Sequence, residues 1–159
     1  MIRQLEGAGV TEWIGSERGD LVAGILAPNG RPEVSAVGLS LGSGFFGWEQ
    51  DGVVATDHWS WCGQDGVLVV FNAGRRPLKR EIKFQLRSVA LQKVNVRVDG
   101  SDSVFPVNVS LPADVVLRDI TWPPGRSLID LHGDSPAVEA GNGDPRKIAF
   151  GVFNPEVGN

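Results

Sequence analysis

The strongest signal along the chain is an alternation of apolar and polar positions with a period of two. Over 79–87, Arg80, Ile82, Phe84 and Leu86 alternate with Lys79, Glu81, Lys83, Gln85 and Arg87. In an extended strand that puts a mostly apolar set on one side and a wholly polar set on the other. The pattern repeats over 92–98, with Val94, Val96 and Val98 in the inward phase and Lys93, Asn95 and Arg97 in the outward one. Asp99-Gly100 then turns the chain. Val67-Leu68-Val69-Val70-Phe71 is apolar on both sides, as expected of a strand inside a layered structure, and Asn72-Ala73-Gly74 closes it. Further strands are expected over 104–109, 115–120, 127–132 and 147–153. Pro106 assigns the first of these to an edge or a bulge, because proline has no N–H to give to a ladder.

No window of a dozen residues keeps helical periodicity without glycine or proline, so a single helical turn near 135–139 is the most that is expected. From Phe45 onward, short apolar runs are separated by turn residues about every 8 to 12 positions, the spacing of an all-β sandwich or barrel. The predicted fold is therefore all-β: a two-sheet, jelly-roll-like β-sandwich of about eight to ten strands. Residues 42–154 are expected to form it. Residues 1–41, with Pro28-Asn29-Gly30-Arg31-Pro32 as a turn or linker, are read as an N-terminal extension or peripheral strands, and 155–159 as a tail.

Composition sharpens this picture. The 159 residues include 21 glycines and 10 prolines, which argues against long helices. With 42% hydrophobic and 21% charged residues the chain has the profile of a folded domain, and its length suits a single core. A net charge of −4 gives no global sign of a nucleic-acid binder. Cys62, the single cysteine, forms no internal disulfide. No segment approaches the roughly 18 consecutive apolar residues of a membrane-spanning helix. The opening Met-Ile-Arg-Gln-Leu-Glu-Gly lacks the apolar stretch of a signal peptide, so a cytoplasmic location is expected.

Candidate chemistry is sparse. Gly38-Leu39-Ser40-Leu41-Gly42 spells a G-x-S-x-G nucleophile elbow, but the motif needs a strand-turn-helix context that the following Gly44-Phe45-Phe46-Gly47 does not offer. An esterase using Ser40, with His58 or His132 as base, stands as the least favoured reading. Neither histidine sits in a metal-ligand spacing, and no metal or cofactor is expected. Asp99, Asp102, Asp130, Asp134 and Asp144 offer oxygen ligands for calcium but not the spacing of a calcium loop, and read better as turn formers. Asn108-Val109-Ser110 fits a glycosylation sequon, which matters only in a eukaryotic secretory setting.

Tryptophan is more informative, with five in the chain and no tyrosine. Trp59 and Trp61, two apart, share one face of a strand. That face is either a core cluster or a flat apolar platform on which sugar rings stack through their C–H groups. Trp48 is expected to join them, and Trp122, before Pro123-Pro124, is expected in a loop as an exposed contact. Between Arg75 and Arg97 lie eight basic residues and one acid, Glu81. Lys79, Lys83, Arg87, Lys93 and Arg97 all fall on outward phases, so they are expected either to form a positive stripe attracting an anionic partner or to solvate and protect a sheet face.

Phe45-Phe46-Gly47-Trp48-Glu49, then His58-Trp59-Ser60-Trp61 ahead of Gly66-Val67-Leu68-Val69-Val70, then Val94-Asn95-Val96-Arg97-Val98-Asp99-Gly100, and finally Gly143-Asp144-Pro145-Arg146-Lys147-Ile148-Ala149-Phe150-Gly151-Val152 run in a telling order. In that order they resemble the β-sandwich accessory domains attached to bacterial glycosyltransferases and polysaccharide-assembly enzymes. The resemblance spans roughly 42–154. It implies a noncatalytic module that binds glycan or holds a neighbouring catalytic domain in place, and it brings no binding residues with it. The residues expected to bind carbohydrate, an acidic glycan included, are Trp59, Trp61, Trp122, Lys83, Arg87 and Arg97. The competing expectation is a structural or protein-interaction sandwich with buried tryptophans and no ligand.

Overall fold

The computed structural model describes residues 37–50, 58–107, 111–141 and 143–158, together with the backbone strands Thr11–Gly15, Leu21–Leu26 and Pro32–Glu33. Ten strands of the described chain form two sheets: β1 (Val37–Leu41), β2 (Glu49–Gln50), β3 (His58–Cys62), β4 (Asp65–Asn72), β5 (Ile82–Ser88), β6 (Gln92–Val98), β7 (Ser101–Val107), β8 (Ala113–Leu117), β9 (Gly125–Gly133) and β10 (Phe150–Val157). Sheet I has the order β7-β6-β9-β4-β1 and sheet II the order β8-β5-β10-β3-β2, and every pairing is antiparallel. No helix occurs among the described residues. The chain crosses from one sheet to the other between β1 and β2, β3 and β4, β4 and β5, β5 and β6, β7 and β8, β8 and β9, and β9 and β10. This is the expected jelly-roll-like sandwich, its sheets beginning a few residues before position 42 and ending a few after 154.

The alternation read from the sequence is what closes it. Ile82, Phe84 and Leu86 from sheet II meet Val94, Val96 and Val98 from sheet I in one buried cluster with Leu68, Val70, Ile129, Leu131, Phe150 and Val152. Burying a side chain of this kind contributes about 1.5–3 kcal/mol. Asp99 and Gly100 join β6 to β7 with positive φ at both positions, 48° and 77°. A two-residue hairpin loop of that hand matches strand twist, and Asp-Gly is a favoured pair for it. Pro106 lies on β7, which among the described strands pairs only with β6 and forms the edge of sheet I.

Buried polar side chains tie the two ends. Asn72 donates through Nδ2 to the Trp122 and Arg76 carbonyls at 2.9 and 2.8 Å while its Oδ1 accepts from Gly74 N–H. Ser88 and Gln92 both donate to the Ala149 carbonyl.

Three expectations are corrected. The region near 135–139 is not a helical turn: Val138–Gly141 is a strand antiparallel to Asp144–Ile148, with Gly141 at positive φ. The single strand over 147–153 is two, Asp144–Ile148 and Phe150–Val157, because the chain leaves one pairing for another at Ala149. Val67–Phe71 is covered on its outer side only in part: Val69 is buried, but Phe71 is exposed.

Candidate functional site: the outer face of sheet II

In β3 the inward phase belongs to Ser60 and Cys62, both fully buried, so Trp59 and Trp61 project from the solvent side of sheet II. Both indoles are half-buried and stand outside the core cluster. Phe153 of β10 lies directly across from Trp59 and Gly151 across from Trp61. The Phe153 ring stacks on Trp59 with centroids 5.9 Å apart and planes 11° apart, and meets Trp61 edge-to-face at 5.4 Å. Such offset-stacked and T-shaped pairs hold aromatic rings in fixed relation. Gly151 is what lets them lie down. A Cβ there would fall 3.0 Å from Trp61 Cε3, Phe153 Cε2 and the Ser60 carbonyl oxygen. The result is a tiled aromatic floor over a strand position with no side chain.

Arg87 of β5 completes the surface. It lies across from Gly151, its guanidinium 4.5 Å from the Phe153 centroid, and its Nε donates to Gln85 Oε1 at 2.9 Å. Gln85 Nε2 in turn donates to Asp114 Oδ1 of β8 at 3.1 Å. Lys83 faces the same side but is paired with Glu81 at 2.7 Å. Hydrogen bonds from Lys83, then Arg118, hold the Glu81 carboxyl below the usual range. On the far side of Trp59, Glu49 accepts from Arg146 Nη1 at 2.5 Å. Arg146 also grips Asp144 through Nε and Nη2 and lies 5.7 Å from the Phe46 ring. Its hydrogen bonds lower the Asp144 pKa and raise its own. Trp48 is half-buried and meets His58 edge-on at 5.3 Å.

Of the six residues expected to bind carbohydrate, the structure brings Trp59, Trp61, Lys83 and Arg87 onto one face and separates the other two. Trp122 is a correction. It is 2% exposed in the core, its Nε1 donating to the Arg80 carbonyl at 3.0 Å, because Thr121–Trp122 pairs with Leu78–Lys79 instead of forming a free loop. Arg97 lies on the opposite side of the sandwich, in sheet I, where it pairs with Asp102 at 2.8 Å. The continuous basic stripe does not form: β5 and β6 are consecutive but belong to different sheets, so Lys83 and Arg87 point one way and Lys93 and Arg97 the other. Lys79 is paired with Asp119 at 2.9 Å. Phe153 and Gly151 were not singled out in the sequence. They sit in the apolar run Ile148-Ala149-Phe150-Gly151-Val152-Phe153, which hides which residues face outward.

The other candidates resolve as follows. Ser40 is in the middle of β1, paired with Val69 of β4 and 5% exposed, so it is not on a strand-turn-helix elbow. His132 Nδ1 lies 2.6 Å from Asp65 Oδ1 on the outer face of sheet I, beside a groove of about 370 Å³ that Asn95, Arg97 and Asp130 also line. Asp134 and Asp144 accept from the Lys93 and Arg146 backbone N–H groups. No cluster of three His, Cys, Asp or Glu suited to a metal occurs among the described residues. Burial, with a smaller contribution from Asp65, pushes the Cys62 thiol up to about 12, so it stays protonated and unreactive. Asn108-Val109-Ser110 lies outside the described residues.

Together these features define an all-β two-sheet sandwich with an aromatic platform on one outer face. No protein-family model and no curated protein matches the chain. Among solved structures it is similar to a family 61 carbohydrate-binding module in complex with β-1,4-galactotriose, at 12% identity and TM-score 0.37 over 79% of this chain and 89% of that one. It is also similar to the C-terminal family 6 carbohydrate-binding module of a laminarinase from Zobellia galactanivorans, at 7% identity and TM-score 0.40 over 78% of this chain and all of that one. A Bacillus thuringiensis Cry1Da tryptic core variant is similar at 21% identity and TM-score 0.39, over 73% of this chain and 21% of that one. At these scores no residue of theirs is carried over.

Proposed function

We propose that this domain is a noncatalytic carbohydrate-binding module whose site is the outer face of sheet II, with a sugar ring stacked on Trp59 and Trp61. The observation that carries the reading is that the two largest side chains of β3 face solvent while a serine and a cysteine take its buried positions. Leaving part of each indole in water forgoes burial worth about 25 cal/mol for each Å². A sugar ring recovers part of it through its C–H face, while Gln85, Asp114 and Arg87 supply hydrogen-bonding groups at the rim. The resemblance to accessory domains of bacterial glycosyltransferases supports a role beside a catalytic domain that builds or processes glycan.

Tryptophan fluorescence during titration with neutral and acidic oligosaccharides tests this. Binding should shift the emission, and Trp61→Ala should weaken it by at least about tenfold, equivalent to roughly 1.4 kcal/mol. Arg97→Ala, on the opposite sheet, should bind as the wild type does. No response to any glycan, or equal losses from Trp61→Ala and Arg97→Ala, would remove sheet II as the site.

A further inference from the structure

The cations around the platform differ in one respect. Lys83 is held by Glu81, and Arg146 by both Asp144 and Glu49. Among the described residues, Arg87 forms no ion pair with a carboxylate; its side-chain hydrogen bond goes to Gln85. Its Nε is used on Gln85 and its guanidinium carbon rests 4.5 Å over the Phe153 ring, which leaves the two Nη groups as a fork. A guanidinium held this way loses little freedom when it takes a carboxylate through two parallel hydrogen bonds.

The row in which Arg87 stands gives that fork a purpose. Trp61, Gly151 and Arg87 are successive cross-strand neighbours on β3, β10 and β5. Their backbones therefore span two strand spacings, about 9–10 Å. The middle position has no side chain and is buried under the Trp61 and Phe153 rings, so the row runs from an indole at one end across the Phe153 ring to a guanidinium at the other. A sugar ring stacked at the indole end turns its substituents toward Arg87. A neutral hydroxymethyl group there would use one hydrogen bond of the fork, whereas a carboxylate would use both and neutralise the charge.

We propose that the site selects glycans bearing a carboxylate, that is uronic acids, and that Arg87 is the residue that reads it. This rests on sheet II being the glycan site, and the experiment keeps the two ideas apart. Oligomers of glucuronic, galacturonic and mannuronic acid are titrated beside their carboxyl-reduced neutral counterparts, by calorimetry, into the wild-type protein, Arg87→Gln, Arg87→Lys and Trp61→Ala. At least one acidic oligomer should bind about tenfold or more tightly than its reduced counterpart, since hydrogen bonds to a charged group are worth roughly twice neutral ones. Added salt should shrink that ratio. Arg87→Gln should bring acidic and neutral ligands to the same affinity, and Arg87→Lys should restore only part of the preference, because an ammonium cannot form the fork.

Equal affinity of the wild type for acidic and reduced oligomers, both lost in Trp61→Ala, would overturn the uronate inference and leave the site standing. Binding that Trp61→Ala does not touch would overturn both. If Arg87→Gln proves unfolded by circular dichroism, the acidic-to-neutral ratio of the wild type and its salt dependence still decide.

Discussion

Sheet I turns Arg97, Asp130 and His132 to solvent, where Arg97 is answered by Asp102 and His132 by Asp65. Sheet II turns out Trp59 and Trp61, packed with the buried Phe153 ring over a glycine, beside a guanidinium that meets no carboxylate among the described residues. Both faces arise from the same strict alternation, and both back onto the same core. The difference lies in how the charges are met and how the rings are arranged, since sheet I also leaves Phe71 and Leu128 exposed. Charges met by cross-strand partners have little left to offer a ligand, and exposed ion pairs of this kind contribute little to stability. The two partly buried indoles of sheet II are unsatisfied in the opposite sense: they gain whenever something apolar covers them.

The sharpest way to break that comparison sets a core tryptophan against a platform one. Trp122→Ala should cost about 3–5 kcal/mol in urea denaturation, with glycan affinity intact in whatever fraction remains folded. Trp61→Ala should show the reverse balance, a smaller stability loss and a large affinity loss. Equal stability losses would mean that Trp61 belongs with the core.

A subtler intervention is Gly151→Val, whose side chain would meet both platform rings and the Ser60 carbonyl. Crowding of this kind typically costs about 1–3 kcal/mol. The variant should fold by circular dichroism and fail to bind glycan, while retained binding would show that the ring arrangement over Gly151 is not used.

The smallest expected effect concerns the ionic clasp beside Trp59. The Asp144 carboxyl is lowered by Arg146, so the stability it contributes is full above the ordinary aspartate range and is lost as pH falls through its lowered value. Thermal melts of the wild type and Asp144→Asn should therefore differ at neutral pH and converge at the acid end. A gap that persists in acid would assign the effect to packing.

Fold class was legible because alternation is a local property: Ile82, Phe84 and Leu86, or Val94, Val96 and Val98, identify a buried side without reference to anything distant. The Asp99-Gly100 turn was legible for the same reason, since its chemistry sits in two residues. What alternation does not encode is which sheet a strand joins. Lys83, Arg87, Lys93 and Arg97 share a phase along the chain, yet the crossing between β5 and β6 sends them to opposite sides. Trp59 and Trp61 share a face in the sequence, but alternation alone does not say whether that face is core or solvent; the burial of Ser60 and Cys62 decides it. Trp122 misled through its two following prolines, which mark the end of a short strand pairing and not exposure.

The register of β10 carries one further consequence. Its ladder with β3 ends at the Phe153–Trp59 pair, and its ladder with β5 is interrupted between Phe153 and Glu156, where Asn154 takes a positive φ of 47° and accepts the His58 N–H. The aromatic tiling is thus confined to Trp59, Trp61 and Phe153, about 7 Å along the strands at the usual rise. If sheet II is the proposed glycan site, such a footprint grips only a few sugar units and its hold on any one stretch is modest. On a polymer that repeats its units hundreds of times, release from one stretch leaves the next within reach, and retention comes from the density of equivalent landing places more than from the strength of any single one.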